Sequence, residues 1–60
     1  MSLNELLVTM QNEMYSATEE IEKFINGNKS AGTRVRKSMQ NIKTVAQNVR
    51  QEVQEMKNNS

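Results

Sequence analysis

The chemistry this sequence offers is carried by its cations. Lys29, Arg36, Lys43, Arg50 and Lys57 recur at every seventh position, and Arg34 and Lys37 stand close to the first of them. On a helix, seven residues return to nearly the same face after about 10 Å of rise. The five would therefore form one row. Arg34 and Lys37 would widen it near a helix start, where backbone N–H groups already favour anions. Such a row suits contacts to phosphates, which need only Lys or Arg at a workable spacing and are salt-sensitive and largely indifferent to sequence. Base readout would need side chains delivered into a groove, and no recognition-helix pattern is present. Stacking on single strands is poorly served, because Tyr15 and Phe24 are the two aromatics and Phe24 falls at a core position.

Other chemistries find little to work with. The chain has no His and no Cys, so the commonest neutral-pH base, the thiolate nucleophile and disulfide staples are all missing. The adjacent Glu19 and Glu20 diverge on a helix and read as a solvated face. Gly27-Asn28-Lys29-Ser30-Ala31-Gly32-Thr33 invites comparison with a phosphate-binding loop, but Thr33 stands where that loop needs Lys, and no apolar strand precedes it. An enzyme is not expected, nor a cofactor, a metal site or a small-molecule substrate. No run of about 18 apolar residues could cross a membrane. The start lacks the basic and apolar regions of a secretory signal, so the expected location is the cytoplasm.

Net charge is +1, but it is unevenly spread. Residues 1–26 carry five Glu and one Lys, and residues 27–60 carry seven Lys/Arg and two Glu. An acidic half followed by a basic half points towards an anionic partner more strongly than the total does.

Two helices must position these charges. Ser2 with Glu5 forms a capping-box pattern, and apolar residues follow at Leu3, Leu7, Met10, Met14, Ala17, Ile21 and Phe24. The steps alternate between four and three, the heptad pattern of a helix seam. Asn26-Gly27 then suits a helix C-terminus. Asn28 or Ser30 can cap a second helix, whose seam runs Val35, Met39, Ile42, Ala46, Val49, Val53 and Met56. The expected fold is all-α, a single antiparallel helical hairpin over residues 1–60. Its helices span about 3–25 and 31–56, with a turn at 26–30 and a frayed tail at 58–60. Residue i of the first helix should then meet residue 59 − i or 60 − i of the second. In that register the basic row faces Asn4, Gln11, Thr18 and Ile25, none of them acidic, and is left unneutralised.

Leu6, Ile25, Ala31 and Val45 widen the apolar stripe, enough for two hairpins to pair as a homodimeric four-helix bundle or coiled coil, or as a higher oligomer. Sixty residues support only a marginal core alone, which favours such pairing. Two alternatives stand beside this reading. One is a single long coiled coil, which Gly27 and Gly32 disfavour. In the other, Glu19, Glu20 and Glu22 pair with Arg34, Arg36 and Lys37 across the turn, or the basic row pairs with Glu13 and Glu20 of a parallel neighbour. The charges would then serve an interface.

The run Gly27-Asn28-Lys29-x-Ala31-Gly32-x-Arg34-x-Arg36-Lys37, followed by Ile42, Ala46, Arg50 and Lys57, resembles the histone-like nucleoid proteins of chlamydiae and related bacterial linker-histone-like proteins. The resemblance covers roughly residues 20–57 and is weaker over the first helix. It implies a small helical protein of the nucleoid that binds and condenses double-stranded DNA with little sequence preference. By position, Lys29, Arg34, Arg36 and Lys37 match the family's basic run, and Lys43, Arg50 and Lys57 continue it. The Lys/Ala/Pro-rich tail usual in such proteins is not among these sixty residues. The resemblance implies that such a tail dominates DNA affinity, so these near-neutral sixty residues are expected either to bind DNA weakly or to serve mainly for dimerisation. The competing expectation is an oligomerisation or protein-interaction module that binds no nucleic acid.

Overall fold

The computed structural model describes residues 1–59. They form two helices, α1 (Leu3–Ile25) and α2 (Lys29–Asn58), packed side by side as a hairpin about 50 Å long. Among the described residues there is no strand.

Each helix begins where its sequence supplies a cap. The Ser2 hydroxyl accepts the Glu5 backbone N–H at 3.2 Å and donates to the Glu5 carboxylate at 3.1 Å. Asn28 caps α2, its side-chain oxygen accepting the Ala31 N–H at 3.2 Å. Between them lies a three-residue turn. The Gly27 N–H donates to the Phe24 carbonyl and the Asn28 N–H to the Lys23 carbonyl, both at 3.0 Å, the paired bonds of a Schellman motif. Gly27 takes φ +105°, where a Cβ is poorly tolerated. Asn28 thus closes one helix and opens the next, and α2 starts at Lys29, two residues before the expected Ala31. At its other end α2 runs to Asn58, two residues beyond the expected Met56. Ser60 lies outside the described residues.

This short turn changes how the helices meet. Glu20 reaches Arg34, Glu13 reaches Asn41, and Phe24 lies over Gly32, so paired residue numbers add to 54–56, not to 59 or 60. The register is displaced by about one helical turn.

The packed faces are rotated as well. Leu6, Ala17, Ala31, Ser38 and Val45 are buried, and Leu3, Met10, Val35, Ile42 and Val49 are half-buried. Leu7, Met14, Ile21, Met39 and Val53, expected in the seam, are instead 40–53% exposed. Leu3, Met10, Ala17, Val35, Ile42, Ala46 and Val49 keep their expected place in the packed face and are joined by Leu6, Ala31 and Val45 from its flank. The other half of the heptad seam, with the flanking Ile25, has become a surface. Small residues explain the preference. Ala17, Ala31, Gly32 and Ser38 let two backbones approach closely near the turn, which longer side chains would prevent. At Gly32 the approach leaves no spare room, since a Cβ there would lie 2.9 Å from the Phe24 ring.

Candidate nucleic-acid interface

The hairpin has two unlike faces, and the cations divide between them. On one face the helices are tied by polar links. Arg34 Nε donates to Glu20 Oε2 at 2.6 Å, Lys23 Nζ reaches Glu20 Oε1 at 3.4 Å, and Asn41 Nδ2 donates to Glu13 Oε1 at 3.4 Å. Glu20 is the more enclosed partner, its side chain 17% exposed against 48% for Arg34. The hydrogen bond from Arg34, helped by the charges of Arg34 and Lys23, holds the Glu20 carboxyl below its ordinary range.

Arg34 is therefore not the free tip cation that its position suggested. The expected pairing across the turn forms here, and only here: among the described residues, Glu19 and Glu22 make no ion pair with Arg36 or Lys37. Lys37 is exposed, away from the basic row.

The other face carries the row. Lys29, Arg36, Lys43 and Arg50 are all exposed, and among the described residues no ion pair engages them. Lys57 is exposed one step further along. The rotation of α2 has moved the row away from α1. Instead of facing Asn4, Gln11, Thr18 and Ile25 across the seam, the two rows stand at opposite edges of the same apolar surface. Near the turn this surface is a groove of about 410 Å³, lined by Ile21, Phe24, Val35, Lys29 and Arg36 together with Gly32 and Thr33. It continues into a second depression of about 300 Å³ between Met14, Ala17, Thr18, Ile21, Met39 and Ile42. The sequence did not announce this groove, because the same heptad row that lines it reads equally well as a core.

What the arrangement can do is bind anions along a line. A step of about 10 Å between cations equals the rise of about three nucleotides along one strand of a duplex. Proton-transfer or nucleophilic chemistry has no comparable cluster. Among the described residues no group of carboxylates could hold a metal ion, and no helix is long and apolar enough to cross a membrane.

The family model described as Histone H1-like protein Hc1 matches residues 4–59. The match takes in nearly all of α1, beyond the span over which the basic run alone carried a resemblance. No curated protein and no solved structure matches the chain.

Proposed function

This chain belongs to the histone H1-like protein Hc1 family, and on that premise we propose that it is a DNA-binding protein of the bacterial nucleoid. It contacts duplex phosphates with little regard to sequence and helps condense the chromosome. One observation supports this most directly: Lys29, Arg36, Lys43 and Arg50 stand exposed and unpaired, a helical heptad apart, along one edge of α2. Lys57 extends the line, and Lys37 adds charge near the turn. Arg34 plays a lesser part, since Glu20 already holds it. Phosphates need no pocket, which agrees with an elongated rod carrying cations on its surface. The role is structural and not enzymatic.

The test is fluorescence anisotropy of a labelled random-sequence duplex across a range of salt. Binding should weaken linearly on a log–log plot, with a slope near −0.9 per phosphate contact. The variant Arg36→Ala/Lys43→Ala/Arg50→Ala should flatten that slope by nearly three units. Absence of binding at low salt would leave the competing reading, an oligomerisation module, which the exposed apolar groove favours.

A further inference from the structure

We propose that the outward face of α2 holds the duplex with two kinds of contact, the cations and a parallel row of uncharged amides led by Gln40 and Gln47. Four residues beyond each cation of the row comes an uncharged polar side chain: Thr33 after Lys29, Gln40 after Arg36, Gln47 after Lys43 and Gln54 after Arg50. A step of four carries the chain only about 40° past a full turn of helix, so the two rows lie side by side.

The second row points away from α1. Thr33, Gln40 and Gln47 each stand two residues beyond a buried position (Ala31, Ser38 and Val45), about 200° round the helix. All four are exposed. Among the described residues, the side-chain amides of Gln40 and Gln47 make no hydrogen bond, and Gln54 makes a local one, to Asn58 at 3.3 Å. The acids of α2, Glu52 and Glu55, belong to neither row. Midway along, Gln40, Lys43, Thr44, Gln47 and Asn48 surround a shallow depression of about 280 Å³, which sets Lys43 between two amides.

Amides suit this place for two reasons. A cation there would stand four residues from another and repel it. An amide donates to phosphate and sugar oxygens as a cation does, but it carries no charge and releases no counterion. The row therefore adds affinity that salt does not remove, and against the sugar-phosphate backbone it carries no sequence information.

The inference rests on the DNA-binding reading above, and its test separates the two. In the same anisotropy titration, Gln40→Ala/Gln47→Ala should lower affinity at least about fivefold at every salt concentration, with the salt slope unchanged. Ala is the better helix former and both sites are exposed, so the hairpin keeps its fold, which circular dichroism checks. Asn12→Ala, which removes an exposed amide from α1, should change neither affinity nor slope. Unchanged affinity in the Gln variant, beside native binding that still weakens with salt, would overturn this inference and leave the reading intact, with cations alone holding the DNA. A loss accompanied by a flatter slope would overturn it too, since the amides would then act by placing Arg36, Lys43 or Arg50. No binding by the native chain even at low salt would overturn the reading itself, and this inference with it.

Discussion

Arg34 Nε and Glu20 Oε2 lie 2.6 Å apart, joining the second turn of α2 to the end of α1. The pair fastens the hairpin just behind its turn and engages one cation that the proposed phosphate contacts would otherwise use. Exposed pairs of this kind contribute little individually, but this one is short and its carboxylate is shared with Lys23.

Acid should loosen this fastening. A carboxyl held below its ordinary value near 4.5 in the folded chain contributes stability that is complete above that value. The contribution is lost as pH falls through the lowered folded value. Thermal melts from about pH 6 down to pH 3 should therefore show a larger fall in Tm for the native chain than for Glu20→Gln, which has no proton to take up there. Equal falls would mean that the pair adds nothing.

Breaking the pair should also change DNA binding in a direction that ordinary damage would not. Glu20→Gln releases Arg34, so duplex affinity should rise and the salt slope should steepen by up to about 0.9. Arg34→Ala should cost far less than Arg36→Ala, measured by anisotropy at one salt concentration. If Arg34→Ala proves the more damaging, the division of cations between the two faces is wrong.

The turn depends on one glycine. With φ at +105°, Gly27→Ala forces a side chain into backbone space that L residues avoid, at about 1–2 kcal/mol. Chemical denaturation should show that loss. Gly32 has no such conformational demand, and it answers only to the Phe24 ring above it.

The second cap can be tested by chemistry rather than by size. Asn28→Ala removes the side-chain acceptor for the Ala31 N–H, leaving it only the Asn28 carbonyl, and should destabilise the hairpin by about 1 kcal/mol. Asn28→Ser keeps an acceptor and should recover most of it. Urea midpoints of the two variants give the comparison.

Much of this fold was legible in the residues. The Ser2–Glu5 pattern, the heptad steps and Asn26-Gly27 gave α1 its limits at Leu3 and Ile25, and all these signals act within a turn or two of helix. Half of the heptad seam lies outside the packed face for a physical reason. On each helix the apolar stripe is wider than one seam, because Leu6 adjoins the Leu3, Met10 and Ala17 row of α1 on the side away from Leu7, Met14 and Ile21, and Ala31 and Val45 do the same on α2. Periodicity assigns residues to a face, but it does not say which face meets the partner helix. The cations were legible as a row for the same reason, while the fate of Arg34 depended on where α1 would place Glu20.

By itself, then, the sequence determined two capped helices, a turn that needs glycine, the acidic-to-basic division and the seven-residue cation spacing. All of these follow from backbone propensity and helical geometry, which are local. Only the tertiary structure decided the register, the rotation that buries small residues and exposes large ones, and the separation of Arg34 from Lys29, Arg36, Lys43 and Arg50. Those depend on how closely two backbones can approach across a three-residue turn, a distance set by Ala17, Ala31, Gly32 and Ser38 together and by none of them alone.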